Sequence, residues 1–318
     1  MRKKILYALL CIIAFQSNAQ LIPSEEENIP FLVTFGNEGK LEYGDDDFSQ
    51  TFFFRIPKEY NKPFFIRIFD PEIGGENDEI IGSENTKTSF NLYGGPEAFS
   101  HPDAKNQDPV GNYKSGNLIY SKTFSNEKNL DNQWFTIGPL NPSEGEYIPE
   151  FDSYMFKLIA EGTKGDDGNL YKYFLTSSSN QNTPIVNGNA FTYEYAVRLH
   201  DKPGAVSHIY PYIDQNVISI KQNNFDWDND GKIVIYSIKK LAENALTSKD
   251  ATWVQSTHKI EEEEKGSCLD IQLIKNRQEV YKNNNVVFYV TNQYGELMPF
   301  FSVPIGVFTP SNKKIKVE

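Results

Sequence analysis

Two cysteines, three methionines and four histidines are all that 318 residues supply, and each scarcity closes off a chemistry. Cys11 falls inside an N-terminal apolar run, so only Cys268 is left if that run is removed, and no intrachain disulfide can form even in an oxidising compartment. Cys268 reads as a small buried hydrophobe on a strand, since no histidine or second cysteine lies near it in sequence. His101, His200, His208 and His258 lack the spacing that places two imidazoles on one metal, which excludes a sequence-local zinc site. No Gly-x-Ser-x-Gly elbow and no phosphate-cradling glycine loop occurs. Positive charge is also short: 31 Lys and Arg stand against 43 Asp and Glu, for a net charge of −12, and polyanions such as nucleic acid are poor partners.

Long apolar runs are missing too. The longest, Ile5 to Phe15, falls well short of the roughly 20 residues that span a bilayer. It follows Arg2, Lys3 and Lys4 and precedes Ser17-Asn18-Ala19, so residues 1–19 read as a cleaved export signal and place the mature chain in the periplasm. Loss of those three basic residues moves the charge to −15. Cys11 is followed by Ile12 and Ile13 and lacks the small residue that lipoprotein processing needs before it, so no lipid anchor is expected.

What is present is aromatic and β-forming. Eighteen Tyr and 23 Phe fall in short runs with β-branched residues, separated by Gly, Pro, Asn and Asp, as strands and turns require. The expected fold is all-β, with two β-sandwich domains, 20–203 and 204–318, divided at the polar segment His200-Asp201-Lys202-Pro203-Gly204. Lys239 to Leu246 is the one stretch with room for two helical turns. Runs such as Phe52-Phe53-Phe54, apolar on both faces, argue against an outer-membrane barrel and for a chain that is not embedded in the membrane.

Two acidic constellations are candidate calcium sites. Thr51–Pro57 and Pro63–Phe69 are separated by five residues, a hairpin length, which predicts that Asp45, Asp46 and Asp47 meet Asp70, Glu72, Glu76, Asp78 and Glu79 on one rim. Asp45, Asp47, Asp70, Glu72 and Asp78 are the expected ligands there, because calcium takes six to eight oxygens from flexible loops; a solvated acidic face accounts for the same residues. The hairpin register also sets Arg55 opposite Phe65 and Arg67 opposite Phe53, on one face. Asp226, Asp228 and Asp230, closed by Gly231, match the first half of a calcium loop, but Ser237 occupies the position where a bidentate Glu belongs, so a plain turn explains them equally. The loops 106–116 and 141–150 are further candidate binding edges. Trp134, Trp227 and Trp253, if exposed, would form a sugar-binding platform, and a fold-assembled carboxylate pair would permit glycoside hydrolysis.

The wording of Val33-Thr34-Phe35-Gly36, Tyr43-Gly44-Asp45-Asp46-Asp47, Phe52-Phe53-Phe54-Arg55-Ile56-Pro57 and Ile66-Arg67-Ile68-Phe69-Asp70-Pro71-Glu72-Ile73-Gly74-Gly75 resembles the β-rich N-terminal region of exported OmpA-family proteins of Bacteroidota. The organisation as a whole, an exported and unlipidated chain of two sandwiches, is similar to the plug family of the type IX secretion translocon, which closes the periplasmic mouth of an outer-membrane pore. The resemblance implies a non-enzymatic accessory protein whose partner is an outer-membrane β-barrel or the translocon. The alternative is an exported carbohydrate-binding or carbohydrate-active protein.

Overall fold

The computed structural model describes residues 20–278, 284–304 and 306. The expected export signal, 1–19, lies outside them. The described chain is all-β: its helical segments are single 3-10 turns of three or four residues. None of them is long and apolar enough to cross a membrane.

A nine-stranded antiparallel sheet runs in the order Trp253–Lys259, Ser219–Phe225, Asn285–Asn292, Glu194–Arg198, Phe31–Phe35, Gly168–Thr176, Phe64–Phe69, Trp134–Leu140, with Leu21–Ile22 beside Gly168–Thr176. A second sheet of seven is ordered Phe300–Phe301, Asn189–Thr192, Ser49–Pro57, Ser153–Lys164, Lys87–Gly94, Asn117–Phe124, with Glu146–Ile148 also on Ser153–Lys164. A four-stranded sheet (Val206–Ile209, Asp270–Lys275, Gly231–Tyr236, Leu241–Ala245) and a two-stranded one (Tyr212–Ile213, Ser267–Cys268) complete the fold. Strands from both sides of residue 203 are hydrogen-bonded in the nine-stranded sheet, where Glu194–Arg198 pairs with Asn285–Tyr289.

Alternation along the strands explains the layering. Phe52, Phe54 and Ile56 point inward with Ile66, Ile68, Phe90, Leu158, Tyr171 and Tyr173, in a core that continues through Val197, Ile220, Ile233, Ile271 and Phe288. Phe53 points the other way, into a smaller cluster with Phe99, Met155, Phe191 and Phe301. Loop segments therefore roof the outer face of Ser49–Pro57, and the triple phenylalanine is buried on both sides. A third cluster, Val33, Phe35, Leu170, Phe225 and Val287, lies beneath Tyr43 and Phe48. Cys268 is buried on its short strand.

Two local expectations are corrected. Ser49–Pro57 and Phe64–Phe69 do not form a hairpin: the first pairs with 153–161 and 189–191, the second with 172–176 and 134–140. Residues 58–63 instead arch from one sheet to the other, which lets both strands present their apolar faces to the same interior. Arg55 thus lies opposite Met155 and Asn189, and Arg67 opposite Phe174 and Thr136, in different sheets. Lys239 to Leu246 is no helix; Leu241–Ala245 is the edge strand of the four-stranded sheet, paired with Ile233–Tyr236.

Candidate functional site

The sandwich has two chemically different ends. At one end stand the loops that precede Ser49 and follow Phe69, so the expected acids do gather at the end opposite 58–63. They gather as two groups. One oxygen from each of Asp45, Asp46 and Asp47 lies within 4.8 Å of the others, and a separate group is formed by Asp70, Glu72 and Asp131.

Most of these carboxylates are occupied by backbone. Asp45 accepts from the Phe35 and Phe48 amides at 2.8 and 2.9 Å, which fastens the 44–48 loop onto Phe31–Phe35. Burial pushes its pKa up to about 7. Asp47 accepts from the Ser49 amide at 2.8 Å with one oxygen, while the other is buried without a partner. Asp70 accepts from the Asn132 amide (2.9 Å) and the Asn77 side chain (2.7 Å). Glu72, 1% exposed, accepts from the Glu127 amide at 2.8 Å through Oε2 and has no partner on buried Oε1. Burial, with Asp70, Asp131 and Glu84 nearby, lifts its pKa to about 7.

Asp78 belongs to neither group. Its oxygens accept from Gly74 (2.8 Å) and Leu170 (2.7 Å), and burial raises its pKa to about 9. Glu79 is drawn off into an ion pair with Arg198. The single five-ligand site Asp45, Asp47, Asp70, Glu72 and Asp78 is therefore not assembled, because the backbone amides of two loops claim different members. Gly75 is required at its place: with φ +68, a Cβ there would meet Asp131 Oδ1 at 2.2 Å.

The Asp-rich turn is also rearranged. Asp226, Asp228 and Asn229 all have positive φ, so the chain twists and the alternating carboxylates do not share one face. Asp226 and Asp228 gather with Asp250, while Asp230 pairs with Lys275, whose ammonium also lies 5.9 Å over the Trp227 ring. Asp131 and Asp250 escape a sequence reading because each reaches its cluster from a distant segment.

Ser256, His258 and Glu243 form a chain of the kind hydrolases use: Ser256 Oγ lies 2.9 Å from His258 Nε2, and His258 Nδ1 lies 2.5 Å from Glu243. Ser256 Oγ, however, also accepts from the Gln222 side chain at 2.8 Å and the Leu246 amide at 3.2 Å. Those donors occupy the lone pairs a nucleophile needs. The trio ties the edge Leu241–Ala245 to the edge Trp253–Lys259 of the neighbouring sheet.

The opposite end is aromatic and proline-rich. Pro57 is level with Ser153 and Phe64 with Leu140, which brings 58–63 beside 141–152. Tyr147 is 38% exposed, donates to Asp152 at 2.6 Å and lies under the Lys58 ammonium, 4.9 Å from its ring centre. Phe151, 43% exposed, is braced edge-on by Phe99 at 6.0 Å. A groove of about 310 Å³ at this end is lined by Pro63, Pro139, Leu140 and Pro142 together with polar Asn61, Lys62, Asn141 and Glu144.

Of the three tryptophans, Trp227 is buried. Trp253 is exposed at the edge of the nine-stranded sheet, against Phe225 and Tyr289. Trp134 stands with Phe69, Phe174, Lys172, Glu25 and Asn182 around a shallow cleft of about 290 Å³, its ring covered by the Arg67 guanidinium at 5.1 Å. No protein-family model matches the chain, and no curated protein matches it.

Proposed function

We propose that the chain is an exported, non-enzymatic accessory protein of the periplasm that docks onto an outer-membrane β-barrel complex, in its most concrete form as the plug of the type IX secretion translocon. The observation that supports this reading is the rigid loop end carrying Tyr147, Phe151 and the proline-lined groove. Exposed aromatics already held in place by Asp152, Lys58 and Phe99 lose little freedom on binding, and such anchors dominate interface energetics. The excess negative charge disfavours nucleic acid and anionic lipid as the partner. Purified translocon pore and the full chain should associate, and the double substitution Tyr147→Ala, Phe151→Ala should weaken association by about tenfold or more. A double variant that binds like its parent, or a pore that captures no chain, would overturn the reading.

A second reading rests on the Trp134 cleft, where three rings and polar Glu25 and Asn182 meet as in a carbohydrate platform. Selective glycan binding abolished by Trp134→Ala, with pore binding absent, would decide for it.

A further inference from the structure

Asn117–Phe124 is the last strand of the seven-stranded sheet and Trp134–Leu140 the last of the nine-stranded one, so residues 125–133 carry the chain from one sheet to the other. This crossing lies against the loop that follows Phe64–Phe69. The Asp70 amide donates to the Gln133 carbonyl at 2.9 Å, and the Ile73 amide to the Ser125 carbonyl at 3.3 Å. Backbone bonds thus set the two loops side by side, and the loops bring Asp70, Glu72 and Asp131 to one place. One oxygen from each lies within 4.8 Å of the others.

Asp70 is 0% exposed, Glu72 is buried almost as fully, and Asp131 is half-buried. Their hydrogen-bond donors are neutral amides: the Asn132 backbone and Asn77 side chain for Asp70, the Glu127 backbone for Glu72 Oε2, and the Asn132 side chain, at 2.8 Å, for Asp131. Glu72 Oε1 is buried and has no partner at all. Glu72 and Asp131 line one cleft of about 240 Å³, beside Gly74 and Gly75 and with Glu84 and Lys128 also on its wall. Both oxygens of Glu72 lie 3.6 Å from where a Cβ on Gly74 would stand, so the bare glycine leaves them uncovered. Lys128 is exposed, and among the described residues it makes no ion pair with any of the three acids. Clustered, desolvated carboxylates need a positive charge among them.

We propose that Asp70, Glu72 and Asp131 bind one divalent cation, calcium by the chemistry of the donors, in the cleft beside Gly74 and Gly75. All three donors are hard carboxylate oxygens on loops, and the open side of the cleft admits the waters that complete six to eight ligands. Glu72 Oε1 offers a ligand that no protein donor contests. The oxygens already engaged by an amide each keep a second lone pair for the ion. The 4.8 Å limit that encloses the three oxygens is about twice a calcium–oxygen distance, so they fit around one ion. Bound there, the ion would clamp the loop after Phe69 to the crossing at 125–133. This site stands independently of the docking reading.

Titration calorimetry on the full chain, first stripped with chelator, tests the assignment. Calcium should bind more tightly than magnesium and should raise the melting temperature above that measured in chelator. Glu72→Gln, which keeps an acceptor for the Glu127 amide, and Asp131→Asn should each weaken calcium by about tenfold or more, since affinity follows ligand charge. In chelator both variants should melt at or above the parent, because each relieves repulsion; a lost ligand is thereby told apart from a damaged fold. Asp47→Asn and Asp228→Asn, in the two other acidic groups, should leave calcium affinity intact. No heat and no calcium-dependent shift in melting would mean that protons alone neutralise the cluster. Calcium binding that survives both Glu72→Gln and Asp131→Asn, or that is lost instead in Asp47→Asn or Asp228→Asn, would move the ion elsewhere; any of these results overturns the proposal. Should Glu72→Gln fail to fold, Asp131→Asn, at the half-buried position, makes the same comparison.

Discussion

Single buried polar residues define how this sandwich responds to pH. Glu27 is wholly buried, accepting from the Tyr195 hydroxyl at 2.7 Å and the Ser24 amide at 2.6 Å, and burial outweighs both to lift its pKa from 4.5 to about 7. A carboxyl with a raised folded pKa holds its proton more tightly in the native state, so its contribution to stability falls as pH rises from 4.5 through about 7. Tyr195→Phe removes the donor that the ionised form uses. The expected cost is about 1–3 kcal/mol at pH 8 and less at pH 5, where the carboxyl is protonated. Urea denaturation at the two pH values checks this; an equal cost at both would show that Glu27 does not titrate between them. The same scale marks the limit of sequence reading: Asp70 and Glu72 are legible as acids on a loop, but nothing local reveals that Asp131 joins them, because that proximity is made by segments far apart in the chain.

At the scale of elements, composition is a good guide and connectivity a poor one. The runs of Phe, Ile and Tyr locate nearly all the long strands, since alternation and turn residues act locally. The five residues after Pro57 fit a hairpin or an arch equally well, and the choice falls to the arch because Phe52, Phe54 and Ile56 then face Phe64, Ile66 and Ile68 across one interior. The strand Ser153–Lys164 presents Gly162 to Phe31–Phe35; a Cβ on Gly162 would stand 1.8 Å from the Phe35 carbonyl oxygen. Neither backbone can yield without breaking its own ladder. Gly162→Ala is therefore expected to destabilise by about 1–3 kcal/mol or more, read as a lower urea midpoint, whereas Gly82→Ala, with nothing within 4 Å of the added atom, should leave the midpoint in place. Equal midpoints for the two would show that the sheets are not pinned at this crossing.

For the whole molecule, the sequence break at His200 to Gly204 reads as a domain boundary because Pro, Gly and charge cluster there. Such residues mark a surface connection without saying whether hydrogen bonding stops. Pairing of Glu194–Arg198 with Asn285–Tyr289, and of Phe191 and Thr192 with Phe301 and Phe300, carries the sheets across it, and one apolar core includes both Phe54 and Ile271. Calorimetry should accordingly give a single transition with matching calorimetric and van't Hoff enthalpies. Two resolved transitions would show that the halves unfold separately.

The shared sheet also decides how such a body yields to force. Bending one half against the other would require parting five consecutive residue pairs between 194–198 and 285–289, all loaded together and shielded from water. The shared ladder thus resists flexing at the place where composition alone would have put a joint.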